Sequence, residues 1–110
     1  MANSIKLFVF PVTDIEAAKA FFSTFLDVQP YADTPYYVGY RVGDQEIGLD
    51  PNSKQGPIAY TDVEDIKASL EEMTKAGAET VQDITDVSAG LLIAQVKDAN
   101  GNVVGFRQQP

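Results

Sequence analysis

From Ile5 to Val12 the chain reads IKLFVFPV, an apolar run of mostly β-branched and aromatic residues that reaches Pro11, and this predicts a strand. The period then changes. Asp14 sits where an N-cap carboxylate would accept from the first free backbone N–H groups, and Ile15, Ala18, Phe22 and Phe25 follow at helical spacing, predicting a helix that ends near Leu26. Strands are predicted at Val28 to Asp33, Tyr36 to Val42 and Glu46 to Leu49, the last two joined by a tight turn at Gly43-Asp44. DPNSKQGP, from Asp50 to Pro57, is rich in turn residues and serves as a connector.

The same order then begins again. Ile58 to Thr61 predicts a short strand, and Asp65 caps a helix carrying Ile66, Ser69, Leu70 and Met73. Lys75 and Gly77 supply a basic last turn and a C′ glycine. Strands are predicted at Thr80 to Ile84, Leu91 to Lys97 and Asn102 to Arg107, the last pair turning through Ala99-Asn100-Gly101. VTDIEAAKAFF and VEDIKASLEEM match at Val12 with Val63, Asp14 with Asp65, Ile15 with Ile66 and Ala17 with Ala68, 51 positions apart. The closing hairpins match as well, with Gly48 set against Gly105, 57 positions apart. Agreement in element order and at these positions favours a duplicated βαβββ unit over two units that merely look alike. The chain is read as one α+β domain, residues 1–110, with modules at about 1–52 and 56–110.

Composition narrows the chemistry. Sixteen acidic residues against eight basic ones give a net charge of −8, which disfavours an electrostatic grip on nucleic acid or anionic lipid. There is no cysteine and no histidine, which removes disulfides, thiolate nucleophiles, the usual neutral-pH base and the commonest transition-metal ligand. The N-terminal MANSIKLFVF has no basic region followed by an apolar stretch and a cleavage site, and no run reaches the length of a membrane span. The expectation is a soluble, cytoplasmic protein.

Several groups that suggest chemistry have simpler readings. Asp98, Asn100 and Asn102 resemble a calcium loop, but Gly101 comes two residues too early for that pattern, so a turn is expected. Glu64-Asp65 and Glu71-Glu72 are adjacent on a helix and point about 100° apart, which suits a cap and a solvated face. Serines 4, 23, 53, 69 and 88 lack a nucleophile-elbow context. No GxGxxG, P-loop or basic-aromatic patch is present.

Two tandem βαβββ modules, a V-x-D-I helix entry in each and a D-x-N-G-N turn before the last strand resemble the vicinal oxygen chelate superfamily, the group of glyoxalase I, bleomycin resistance proteins and extradiol dioxygenases. VTDIEAAKAFFSTFL and KDANGNVVGF carry most of this resemblance. It implies a curved mixed sheet around a cleft, with a metal held by one residue from each of four strands. The implied ligand positions fall on Leu7, Gly48, Pro57 and Gly105, none of which has a donor atom in its side chain. With that register Leu7 and Val9 face the cleft, while Phe8, Phe10, Val12, Ile47, Leu49, Val104 and Phe106 form an apolar layer under the helices. Glu46 and Asp50 share the side of Gly48, Arg107 shares that of Gly105, and Pro57 and Ala59 open the second module on the cleft side. Tyr37 and Tyr40, with Tyr36 and Tyr60, lie on or near the same strands. The glycines either widen the cleft or act as bends that let the sheet curl.

The expected function is therefore metal-free binding of a small molecule, without a cofactor, sequestering a cationic or aromatic compound. A glyoxalase- or dioxygenase-like enzyme with an atypical site and a vestigial interaction module are the alternatives. The resemblance also implies a homodimer.

Overall fold

A computed structural model describes residues 2–110. The elements run β1 (Ile5–Pro11), α1 (Ile15–Leu26), β2 (Ala32–Thr34), β3 (Tyr37–Val42), β4 (Gln45–Asp50), β5 (Ile58–Asp62), α2 (Ile66–Lys75), β6 (Glu79–Ser88), β7 (Leu91–Lys97) and β8 (Val103–Gln108). This is βαβββ twice, an α+β fold. Two compact units form, one of residues 6–58 and one of residues 59–110 joined by residues 2–5. The N-terminal residues are tied to the latter by a hydrogen bond from the Thr61 hydroxyl to the Ser4 carbonyl, 2.7 Å.

Both helices start as their sequences dictate. Asp14 and Asp65 are extended caps whose carboxylates accept from the backbone N–H of Ala17 and Ala68, at 3.0 and 3.1 Å. Helix α2 ends in a Schellman arrangement: the Ala78 N–H donates to the Met73 carbonyl and the Gly77 N–H to the Thr74 carbonyl, with Gly77 at φ +99°.

In the first unit the strand order is β2-β3-β4-β1, with β1 parallel to β4 and the other pairs antiparallel. Its core lies under α1, where Val38, Tyr40 and Leu49 are buried against Phe10, Phe22 and Leu26, and the Phe10 and Phe22 rings sit 5.1 Å apart. In the second unit the order is β5-β8-β7-β6, with β5 parallel to β8, and Ile66, Ala94, Val96 and Phe106 are buried together under α2. The anticipated apolar layer is present under each helix. Two positions differ: Phe8 does not belong to the α1 cluster, and Val104 is 41 % exposed and outside the α2 cluster.

Two strands depart from their predicted spans. β2 forms only at Ala32–Thr34, because Val28 closes the helix by donating to the Ser23 carbonyl and packs under α1, and Pro30 has no N–H to give a ladder. β6 runs on to Ser88 instead of stopping at Ile84. Its register against β7 shifts three times, and the Asp83 carboxylate accepts from the Ile84 N–H beside one of these irregularities. The polar residues that hid the strand are those that bulge it.

Candidate functional site

In each unit the four strands have one face under the helix and an opposite face away from it. The pairing register settles which residues share the face away from the helix. In the first unit Leu7 pairs with Glu46, Val9 with Gly48 and Gly39 with Gly48, so these residues lie on one side together with Tyr37 and Arg41. In the second unit Tyr60 and Gln95 both pair with Gly105, and Asp62 and Ile93 both pair with Arg107.

Neither Gly48 nor Gly105 has a positive φ, so neither needs glycine for a left-handed backbone. What excludes a side chain is a tyrosine ring. A Cβ built on Gly48 would lie 2.7 Å from Tyr37 Cζ and closer still to its hydroxyl, and one on Gly105 would lie 3.0 Å from Tyr60 Cζ and closer to Cδ1 and Cε1. Gly39 is filled in the same way, with Tyr31 Cζ 3.0 Å from the place of its missing Cβ. Tyrosine rings thus stand over glycines on these faces, two in the first unit and one, itself buried, in the second.

Polar contacts hold these rings. Tyr31 Oη donates to Glu46 Oε1 at 2.7 Å, and the Arg41 guanidinium lies 4.0 Å from the Tyr31 ring centroid. Gln95 Nε2 donates to Tyr60 Oη at 2.8 Å. Arg107 is buried and donates to Asp62 through Nε at 2.7 Å and Nη2 at 3.1 Å, a two-pronged pair that compensates its charge.

Two expected positions are corrected. Tyr40 lies on the helix side, fully buried beneath α1, with its hydroxyl 2.8 Å from Ser23 Oγ and donating to the Lys19 carbonyl at 3.0 Å. Tyr37 and Tyr40 are three residues apart in one strand and so must face opposite ways. Ala59 pairs with Val104, beside the Thr61–Phe106 pair that faces α2, so Ala59 lies on the side opposite Gly105; Pro57 stands before β5, outside the paired residues. A one-residue slip reverses every side chain of a strand. The residue 51 positions after Leu7 is Ile58, which is buried and equally without a donor. Asp50 is on the Gly48 strand as expected, but its carboxylate accepts from the Asn52 N–H at 2.8 Å and so shapes its own turn.

Residues that sequence reasoning missed are Tyr31, Gly39, Arg41, Asp62 and Gln95. Alternation about Tyr37 would have placed Gly39 and Arg41. The others depend on pairing between strands distant in sequence.

A metal set like that of the resembling enzymes does not fit these residues. Leu7, Gly48, Ile58 and Gly105 offer no donor atoms, and a longer side chain at either glycine would have to displace a tyrosine ring. Among the described residues no three of His, Cys, Asp or Glu converge on a point. Nor, among them, is any helix long and apolar enough to cross a membrane.

Solved structures of the same fold include a hypothetical protein, BH1468, of Bacillus halodurans C-125, with a TM-score of 0.80 and 17 % identity over 100 % of this chain and 96 % of that one. A methylmalonyl-CoA epimerase of Mycobacterium tuberculosis gives 0.76 and 15 %, covering 96 % of this chain and 87 % of that one. A glyoxalase/bleomycin resistance protein/dioxygenase superfamily member of Vibrio splendidus 12B01 gives 0.70 and 15 %, with 97 % and 98 % covered. At these identities the likeness speaks to the fold alone. Comparison with curated protein sequences gives no match. The sequence model of one family spans nearly the whole chain, matching residues 4–106. The protein belongs to the Glyoxalase/Bleomycin resistance protein/Dioxygenase superfamily.

Proposed function

We propose that the protein binds a small aromatic or cationic molecule without a metal, using tyrosines on the faces of its strands that lie away from the helices, Tyr31 and Tyr37 foremost. The observation that carries this reading is that tyrosine rings stand over Gly48 and Gly105, the positions where the family resemblance implies metal ligands; Tyr60 is buried, so the rings within a ligand's reach are the half-buried Tyr37 and the neighbouring exposed Tyr31. A metal enzyme draws on its cation to polarise substrate oxygens, a stabilisation worth several kcal/mol. Tyrosine rings instead offer flat apolar area with a polar rim, suited to stacking. Support for a cation comes from the acidic balance of −8 and from Glu46 on the same face, while the Arg41 guanidinium, already resting on the Tyr31 ring, leaves that face of Tyr31 filled. Arg107 gives little support to an anion, since Asp62 compensates it. Cation–π attraction would contribute about 0.5–2 kcal/mol per ring.

Calorimetry with basic aromatic compounds and matched anionic ones tests the reading. Basic compounds are expected to bind, Glu46→Gln to weaken them about tenfold, the equivalent of 1.4 kcal/mol, and Asp50→Asn to change little. Binding of anions alone would overturn the choice of ligand. For the metal, elemental analysis after dialysis is expected to find far less than one equivalent. Stoichiometric zinc, nickel, iron or manganese, or chelator-sensitive glyoxalase activity, would sink the metal-free reading.

A further inference from the structure

Two turns of the chain are built alike. In Asp50-Pro51-Asn52-Ser53 the Asp50 carboxylate accepts from the Asn52 N–H at 2.8 Å, and the Ser53 N–H donates to the Asp50 carbonyl at 3.3 Å. In Asp98-Ala99-Asn100-Gly101 the Asp98 carboxylate accepts from the Asn100 N–H at 2.8 Å, and the Gly101 N–H donates to the Asp98 carbonyl at 3.2 Å. Both asparagines are exposed. The difference lies in the residue that follows each. Ser53 is half-buried and its hydroxyl donates to the Gln55 carbonyl at 2.7 Å, whereas Gly101 is exposed, with nothing within 4 Å of the place where a Cβ would stand.

An asparagine amide and the backbone nitrogen after it can react with each other, because closing a small ring brings nucleophile and carbonyl together within one short stretch of chain. A side chain on the following residue crowds that nitrogen, and a glycine leaves it open. The fold also holds the glycine in place: Gly101 has φ +87°, where a residue with a side chain would be strained. Among the described residues nothing bonds the Asn100 side chain. Asn102, by contrast, donates its side-chain amide to Asp98 Oδ2 at 3.0 Å and is followed by the β-branched Val103 at the start of β8.

We propose that Asn100 is a site of covalent modification in the folded protein, where water converts the amide to aspartate and isoaspartate. The Gly101 nitrogen, having lost its proton to hydroxide, attacks Asn100 Cγ. The N–Cγ bond forms as the Cγ–Nδ2 bond breaks, and Nδ2 takes up a proton and leaves as ammonia. Water then opens the cyclic imide. Cleavage of the N–Cγ bond gives aspartate, while cleavage of the original peptide bond gives isoaspartate, whose backbone runs through the side chain and is longer by a methylene. The bond from Gly101 N–H to Asp98 holds the nucleophile back, but Ser53 makes the same bond to Asp50, so it does not separate the two turns.

The added methylene falls between residues that close the turn. Asp98 N–H donates to the Asn102 carbonyl at 3.0 Å, and Asn102 N–H donates to Asp98 Oδ1 at 2.9 Å. This turn joins β7 to β8, the strand of Gly105 and Arg107, so the isoaspartyl form loosens the hairpin that carries them.

Ageing the native protein at mildly alkaline pH, followed by tryptic digestion and mass spectrometry, tests this. Cleavage after Arg41, Lys54, Lys97 and Arg107 puts the two turns in separate peptides. Asn100 is expected to convert about tenfold faster than Asn52 or Asn102, since no Cβ crowds its Gly101 nucleophile. Its rate should rise with hydroxide, and the product should accept a methyl group from an isoaspartyl methyltransferase. Ser53→Gly should bring Asn52 toward the rate of Asn100, a measurement that stands even if Gly101→Ala, expected to slow Asn100, does not fold. The isoaspartyl chain, separated by its added negative charge, should melt below Asn100→Asp, which gains the charge without the longer backbone. Three results overturn the proposal: an Asn100 that stays intact in the native protein and converts only in urea, conversion at Asn52 or Asn102 as fast as at Asn100, or an Asn52 unmoved by Ser53→Gly. Equal melting of the isoaspartyl chain and Asn100→Asp would overturn the loosening of the hairpin.

Discussion

Gly48 and Gly105 occupy the same place in the two modules, yet different strands cover them. Over Gly48 the ring is that of Tyr37, which reaches diagonally from β3, two residues along from Gly39, the direct partner of Gly48. Over Gly105 it is Tyr60, the direct partner from β5 on the other side. The halves therefore share an empty position and a phenol above it, but not the residue that supplies the phenol. If the glycines served only to let the sheet curl, nothing would require an aromatic ring over both. Room for a ring is the simpler common cause.

The difference in approach predicts different costs, and the largest separates the two glycines. At Gly105 an added methyl meets Cδ1 and Cε1, the body of a ring that is 4 % exposed and has little freedom to turn. At Gly48 it meets the hydroxyl end of Tyr37, which a small rotation can carry away. Overpacking a filled site costs about 1–3 kcal/mol, so Gly105→Ala is expected near the top of that range and Gly48→Ala near the bottom. Urea denaturation of both variants measures this. Adding Tyr60→Ala to Gly105→Ala should recover part of the loss relative to the sum of the single changes. Equal costs at the two glycines would break the comparison.

A second contrast lies one step along the same strands. In the first module Pro11 pairs with Asp50, whose carboxylate serves its own turn. In the second, Asp62 pairs with Arg107 and holds its buried guanidinium. Asp62→Asn weakens the contact to a buried charge, and because the Asp62 side chain is itself 36 % exposed, the expected cost is about 2 kcal/mol, less than for a fully buried pair. Asp50→Asn keeps an acceptor for the Asn52 N–H and should cost a few tenths. Thermal unfolding of the two variants checks the order, and a cost for Asp62→Asn within surface scatter would mean that Arg107 draws its support elsewhere.

How much of this was legible in the sequence depended on range. Asp14, Asp65 and Gly77 announce helix ends through bonds to residues within a turn of themselves, and those ends fell where predicted. Facing directions depend on a single counting step. In YYVGYRV the alternation of Val38, Tyr40 and Val42 against Tyr37, Gly39 and Arg41 was sufficient to send Tyr40 under the helix, but reading the tyrosines as one group obscured it. The short strand IAYT carries no such internal check, so alternation alone does not decide on which side Ala59 stands. The Asp62–Arg107 pair and the Tyr31–Glu46 bond depend on strand neighbours 45 and 15 residues apart, which periodicity does not encode.

The smallest expected effect compares the two hairpin turns. Each has a carboxyl group held below the ordinary carboxylate range, but by different means. Asp44 is lowered by the Lys6 ammonium, 2.8 Å away, and Asp98 first by the Asn102 side-chain amide and then by backbone N–H groups. The sign is the same for both: a folded-state pKa below the unfolded 3.8 adds stability that is present above pH 3.8 and is lost as pH falls through the folded value. Salt distinguishes them. At 1 M the screening length shrinks to about 3 Å, which weakens an exposed ion pair but barely affects hydrogen bonds to a neutral amide and backbone. Stability measured from pH 5 down to pH 3 at low and at high salt should show an acid-induced loss with two parts. Asp44→Asn should remove the part that salt reduces, and Asp98→Asn the part that salt leaves alone. If both variants respond to salt alike, the two turns are held by the same force and the distinction between them fails.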